Sequence, residues 1–153
     1  SLACGLIVAL ATSLSATEPA PPGPDSWPSF RRDWSLTGVA TSPLPEKLEL
    51  LWEVDIGDQI VATPAIVGDD VYVPCLSGEL VCLDKATGRK RWGYRTVEEV
   101  PKNSFAPGFK SSPTVTADRV YLGDEDGVFH AIDRRTGQKA WTFATGGEIY
   151  SSA

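Results

Sequence analysis

Few side chains in this sequence have the types and spacing that chemistry requires. The only histidine is His130, so neither a His-pair metal site nor a Ser-His-Asp triad can be assembled from this segment alone. It falls within an apolar run and is expected to be a surface or packed strand residue. Asp124-Glu125-Asp126-Gly127 concentrates carboxylates at a hairpin tip, as a calcium site would. The EF-hand spacing fails, however, because Leu122 occupies the first ligand position and Asp133 the bidentate one, and a solvated turn is expected. Taking Ser77 and Gly78 as a turn, Cys75 opposes Leu80 and Cys82 opposes Val73, so the two thiols share a face diagonally. A bridge between them would need a register shift or bulge. Buried free thiols are therefore expected, with a disulfide left open by an oxidising compartment. The sequence has no Gly-rich phosphate loop, no Gly-x-Ser-x-Gly elbow and no His-Glu-x-x-His. A net charge of -6 without a basic stripe argues against nucleic-acid binding.

What must position these residues is a block that occurs twice, 49 residues apart. The first copy runs from Ala62-Thr63-Pro64 through Val71-Tyr72-Val73, Ser77-Gly78, Leu83-Asp84 and Thr87-Gly88 to Trp92. The second runs from Ser111-Ser112-Pro113 through Val120-Tyr121-Leu122, Asp126-Gly127, Ile132-Asp133 and Thr136-Gly137 to Trp141, and a third begins at Ser151-Ser152-Ala153. Short runs rich in β-branched and aromatic residues alternate with turn signals, which is strand chemistry. The second copy predicts strands over 113–116, 120–123, 128–132 and 140–143, and the first copy gives the same four. Four short strands per repeat imply an all-β, radially repeated architecture: a partial β-propeller of four-stranded antiparallel blades. It holds two complete repeats (59–92 and 108–141) plus parts of two others, the third repeat starting at 148. Leu48 to Val54 reads as a lone fourth strand ahead of the first full copy.

In the turn before the last strand, Asp84 and Asp133 are placed to accept from backbone amides two or three residues on, and Gly88 and Gly137 close the corner. Both Asp residues are thus expected to be structural. Trp52, Trp92 and Trp141 fall at one place in the repeat. Each ring contributes roughly 2–3 kcal/mol on burial and is expected to dock one blade on the next.

The repeat period is 40 residues, broken by nine extra residues after Trp92. The enlarged connection, Thr96 to Phe109, is the candidate partner-binding loop, because insertions in repeat proteins collect on a binding face. Phe105 and Phe109 would be its apolar contacts, flanked by Glu98, Glu99, Lys102 and Lys110. A variable loop without a partner is the competing reading.

Ala131-Ile132-Asp133-Arg134-Arg135-Thr136-Gly137-Gln138-Lys139-Ala140-Trp141 resembles the tryptophan-docking motif of the pyrroloquinoline quinone (PQQ) repeat family, Ala-x-Asp-x-x-Thr-Gly-x-x-x-Trp. Cys82 to Trp92 matches it except that Cys82 stands where Ala is usual, and the resemblance covers about residues 48 to 153. Trp27-Pro28-Ser29-Phe30-Arg31-Arg32-Asp33 followed by Thr37-Gly38 looks like the lead-in of many bacterial envelope proteins with these repeats. The resemblance implies a β-propeller, in a family that includes quinoprotein alcohol dehydrogenases and non-catalytic envelope proteins of the BamB type. Such dehydrogenases typically stack the quinone between a tryptophan and a disulfide of adjacent cysteines, beside a calcium and an Asp base. None of those signature residues can be carried over onto this segment, so no catalytic or metal residue is expected here, and the sequence leaves cofactor-binding residues open. The function expected is an exported PQQ-repeat propeller that acts as a protein-interaction scaffold in the bacterial cell envelope, with envelope proteins or peptides as partners. The alternative is the propeller portion of a quinoprotein dehydrogenase that oxidises alcohols or sugars with PQQ and calcium.

Residues 1–16 are expected to be a secretory signal with a truncated start. Leu2 to Ala16 carry no charge and end in small residues, but no basic leader precedes them. Cys4 follows small residues as in a lipoprotein site, yet the apolar run continues past it, which argues against a lipid anchor. Residues 17–26 are a Pro-rich linker, and 27–153 the N-terminal part of the propeller. No transmembrane span is expected in the mature chain. A four-bladed ring already needs about 160 residues of repeat, so the chain is expected to be a fragment of a longer protein. An acidic soluble domain behind a signal is expected in the periplasm or at the cell surface.

Overall fold

The computed structural model of this chain describes residues 23–100 and 102–152; the expected signal, Cys4 and positions 17–22 of the linker lie outside them. Among the described residues, eight strands form two four-stranded antiparallel sheets. The first blade is β1 (Ala65–Val67), β2 (Asp70–Pro74), β3 (Glu79–Asp84) and β4 (Lys90–Arg95). The second is β5 (Thr114–Val115), β6 (Arg119–Gly123), β7 (Val128–Asp133) and β8 (Lys139–Ala144), again paired in chain order. The chain is thus all-β among the described residues, a pair of consecutive propeller blades.

The β2–β3 register differs from the expected one. The turn has three residues, with Cys75 N–H donating to Glu79 O at 2.8 Å and Gly78 at φ 80°. A glycine in the left-handed region at the third loop position makes a three-residue hairpin, where a two-residue turn was expected. Cys75 therefore lies opposite Glu79, and Cys82 opposite Tyr72. Because side chains alternate across a sheet, the thiols do not share a face. Cys82 packs with Tyr72, Leu80 and Tyr94, while Cys75 packs with Val71, Val73 and Val81 on the other side. Both are free and buried, and burial raises their pKa values to about 11 for Cys75 and about 12 for Cys82.

The core lies between the blades. Tyr72, Leu80, Cys82 and Tyr94 of the first blade meet Phe109, Val115, Val120, Leu122 and Ile132 of the second. At the inner ends, Thr63 N–H donates to Ser112 Oγ and Ser112 N–H to Ser152 Oγ, both at 3.0 Å. Equivalent positions of three successive repeats are thereby joined. The lead-in segment crosses both first strands, through a Trp27–Ile66 bridge and a 2.7 Å bond from Val115 N–H to Pro28 O. The expected lone strand over Leu48 to Val54 is not formed: the segment makes no ladder, and Leu50 is 82% exposed. A strand is held by its neighbours' hydrogen bonds, and no neighbour flanks this one among the described residues.

Candidate functional site

The turn chemistry that ends each β3 or β7 strand positions the docking residues. Asp84 Oδ1 accepts from the Ala86 and Thr87 amides and from Thr87 Oγ1, and Asp133 Oδ1 accepts likewise from Arg135 and Thr136. Each loop then closes at a buried glycine, Gly88 (φ 70°) or Gly137 (φ 72°). An indole lies against each of them. A Cβ on Gly88 would meet Trp52 at 2.8 Å, and one on Gly137 would meet Trp92 at 2.6 Å. Trp52 also donates from Nε1 to Lys85 O at 2.8 Å. Trp92 belongs to the first blade and Gly137 to the second, so the ring spans the blade junction. Trp141, the third of the series, is 46% exposed.

Arg134 is a second junction residue, which the sequence reading passed over as a turn position. Its Nε donates to Tyr72 Oη at 2.8 Å and its Nη2 to Val67 O at 2.9 Å, carrying a second-blade cation into the first blade. Burial raises the Tyr72 phenol pKa, against the smaller opposing effect of Arg134.

The enlarged connection after β4 is pinned at both ends. Thr96 N–H donates to Gly78 O and Thr96 Oγ1 to Pro107 O, while Gly108 N–H donates to Glu125 Oε2. Phe109 is 0% exposed and part of the inter-blade core, which corrects its assignment to the partner-binding loop. Its position in the repeat explains this: Ile60, Phe109 and Ile149 are equivalent, and Ile149 packs on Gly123 as Phe109 packs on the first blade. The repeat resumes at Phe109, and the insertion ends before it. Phe105 is 97% exposed, and Glu98, Glu99 and Lys102 also face solvent. Lys110 pairs with Glu125 instead of flanking the loop as a free cation.

Beside the pinned base runs a groove of about 640 Å³ between β4 and the outer strands of the second blade. Its floor holds a polar chain that the sequence reading missed. His130 Nε2 lies 2.9 Å from Asp124 Oδ2, and His130 Nδ1 lies 2.9 Å from Tyr94 Oη. Asp124 is buried and also accepts from the Asp126 and Val128 amides, which corrects the expectation of a wholly solvated acidic tip. Only Asp126 of that run is exposed. Burial and then the Asp124 charge raise the Tyr94 pKa, so the phenol keeps its proton. In the neutral imidazole, Nε2–H donates to the carboxylate and Nδ1 accepts from Tyr94 O–H. Phe109 meets the His130 ring edge-on at 5.5 Å.

The arrangement ties two blades together through paired polar groups. Its signal in the sequence was a departure from the repeat: Asp124 and His130 stand where the first copy has Cys75 and Val81, and Tyr94 where the second copy has Phe143.

Among the described residues, Cys75, Cys82 and Trp92 do not form the seat of a stacked quinone. Cys75 and Cys82 lie on opposite faces, and Trp92 is covered by Gly137 and by Tyr72, whose ring centroid is 5.8 Å away. Among the described residues, no three or more His, Cys, Asp or Glu side chains gather to hold a metal ion, and no helix is long and apolar enough to cross a membrane.

The family model described as outer membrane protein assembly factor BamB matches residues 45–152. Among solved structures the chain is similar to BamB from Moraxella catarrhalis, with 32% identity and a TM-score of 0.51 over 61% of this chain and 26% of that one. It is also similar to the quinohemoprotein alcohol dehydrogenase ADHIIG from Pseudomonas putida HK5, with 27% identity and a TM-score of 0.61 over 80% of this chain and 19% of that one. It shares the fold of the quinohemoprotein alcohol dehydrogenase from Comamonas testosteroni at 24% identity, with a TM-score of 0.65 over 82% of this chain and 20% of that one. The chain thus spans between 19% and 26% of the length of these structures. No curated protein sequence matches it.

Proposed function

The chain belongs to the PQQ-repeat family of the BamB type, and from that membership we propose that it is part of a propeller scaffold that docks envelope proteins or peptides through the loop between its first two blades. The observation that carries this reading is Phe105, 97% exposed on a connection whose two ends are locked to the blades. A large apolar side chain held out to solvent from an ordered base is the kind of anchor that dominates interface energies. The adjoining groove and the charges of Glu98, Glu99 and Lys102 would form the polar rim around it. Export to the periplasm or cell surface is part of the same proposal, and rests on the apolar run of residues 2–16 and on the family.

Phe105→Ser in the full-length protein tests the reading. The substitution should leave stability within about 0.5 kcal/mol, since the side chain packs on nothing, and weaken partner binding tenfold or more. Undiminished binding with an unchanged melt would refute the docking role.

The second reading, the propeller portion of a PQQ- and calcium-dependent dehydrogenase, is favoured by the likeness to the Pseudomonas putida enzyme over 80% of this chain. Any quinone site would then be built from residues beyond those described. Titrating the full-length protein with PQQ and calcium separates the two, because saturable binding with alcohol oxidation would replace the scaffold reading.

A further inference from the structure

The chain from Asp124 through His130 to Tyr94 fixes which kind of group the groove beside it can take. Asp124 accepts at both oxygens, at Oδ1 from the Asp126 and Val128 amides and at Oδ2 from His130 Nε2. The neutral imidazole thereby spends its one N–H on the carboxylate and presents Nδ1 as an acceptor. Tyr94 must donate its proton to Nδ1, so towards any other group the phenol oxygen can only accept. A hydroxyl ordinarily rotates to suit either kind of partner. This one is held to a single role by the carboxylate at the far end of the chain.

The phenol borders open space. Tyr94 is 8% exposed and lines the groove of about 640 Å³ between the blades, as does Thr142, the cross-strand partner of His130. Its surroundings are negative. Burial and then the Asp124 charge raise the Tyr94 pKa, so the buried carboxylate is felt at the phenol. Glu98 and Asp126, both exposed, line the same groove. Of the two cations that line it, Arg95 is paired with Glu79 at 2.9 Å, which leaves Lys139 as the one unpaired cation among the described residues there, against three carboxylates. Low-dielectric walls focus such a field on whatever enters. A carboxylate or phosphate would meet lone pairs and like charge.

Building on the docking reading of the Phe105 loop, we propose that this groove takes a basic side chain, arginine or lysine, of the protein partner, with Tyr94 Oη accepting from it and Glu98 and Asp126 facing its charge. Arginine and lysine carry donors and no acceptor. That is the property an acceptor-only hydroxyl beside carboxylates selects. The partner would thus present an apolar pocket to Phe105 and a cation to the groove.

N-acetyl-argininamide, with N-acetyl-citrullinamide as its neutral isostere, tests the proposal in full-length protein labelled on its histidine nitrogens. His130 Nδ1 should resonate as an unprotonated acceptor, and argininamide should shift it saturably while citrullinamide does not. Tyr94→Phe, which installs the residue of the equivalent position, Phe143, should weaken argininamide binding about tenfold. Phe105→Ser should bind the probe as wild type does, because the probe offers nothing to the apolar anchor. The proposal is overturned by no saturable shift, by equal responses to the two probes, by a protonated Nδ1, or by undiminished binding in folded Tyr94→Phe. Should Tyr94→Phe fail to fold, the two probes on wild type decide alone. No argininamide binding, with partner binding still lost in Phe105→Ser, would strike the basic side chain and leave the docking loop. Argininamide binding with Phe105→Ser still holding its partner would do the reverse.

Discussion

Replacing Gly137 with alanine isolates the contact that joins the two blades. Gly137 sits at φ 72°, where an L-residue costs about 1–2 kcal/mol. The new Cβ would also lie 2.6 Å from Trp92 Cε3, inside any carbon–carbon contact. The ring cannot swing away freely, because Tyr72 packs against it at 5.8 Å, so displacing it adds about 1–3 kcal/mol of overpacking. Gly146 provides the reference, with φ 81° and nothing within 4 Å of an added Cβ. Gly146→Ala should therefore cost about 1–2 kcal/mol, and Gly137→Ala about 2–5 kcal/mol. Urea unfolding of the full-length protein measures both as midpoint shifts at constant m. In a Trp92→Ala background the clash is gone, and Gly137→Ala should fall to the Gly146→Ala value. Equal costs for the two glycines, or a Gly137→Ala cost unaffected by the loss of Trp92, would refute the reasoning.

The buried polar chain yields a sharper test than truncation alone. His130→Val leaves Asp124 and Tyr94 each short of a partner and should cost about 2–3 kcal/mol in urea unfolding. Adding Asp124→Cys and Tyr94→Phe, the residues of the sister repeat, should recover most of that loss; no recovery would mean that packing, not polar pairing, sets the cost. Asp84, held at a pKa of about 2 chiefly by Arg91 and then by Thr87, lies below its ordinary 3.8. A depressed folded-state pKa stabilises above the unfolded value, so its contribution is present above about pH 4 and lost as pH falls towards 2. Melting curves of wild type and Asp84→Asn should accordingly converge over that window, and parallel curves would contradict the assignment. Cys75 and Cys82, with pKa values of about 11 and 12, are protonated at pH 8 and should resist iodoacetamide until the protein is unfolded. Mass-spectrometric detection of rapid native-state alkylation would show that the thiols are not enclosed.

The elements that repetition specifies were legible in the sequence. Two copies in one register carry the four-strand pattern, the Asx turns and the glycine corners, because each is fixed by local chemistry within a few residues. What local chemistry leaves open was missed. The turn at Leu76 to Gly78 takes three residues and moves the strand register by one, which sends the two cysteines to opposite faces. Leu48 to Val54 has the composition of a strand, but a strand exists only where another lends it hydrogen bonds. Phe109 reads as a loop residue beside Pro107 and Gly108, although the same position holds Ile60 and Ile149 in the other copies, which marks it as a residue that packs on the preceding blade. Asp124 and His130 sit six residues apart on one hairpin. Their pairing, and the third partner Tyr94 from the neighbouring blade, became visible only once the blades were stacked.

The repeat comparison also separates what is shared from what is particular to this chain. The Trp-on-Gly seats at Gly88 and Gly137 recur, as do the Thr96 and Thr145 bonds to Gly78 and Gly127. Those features build blades. The enlarged connection with Phe105 and the Asp124–His130–Tyr94 chain occur once among the described residues, at the same junction, and this is where specificity is proposed to reside.

The central claim is that partners contact the protein at the Phe105 loop. A photoreactive amino acid placed at position 105 of the full-length protein in its own host, with position 44, also a highly exposed apolar residue, as control, tests it most directly. The account predicts a discrete crosslinked partner from 105 and none from 44. Equal crosslinking from both positions, or none from 105 while a partner is retained, would contradict it.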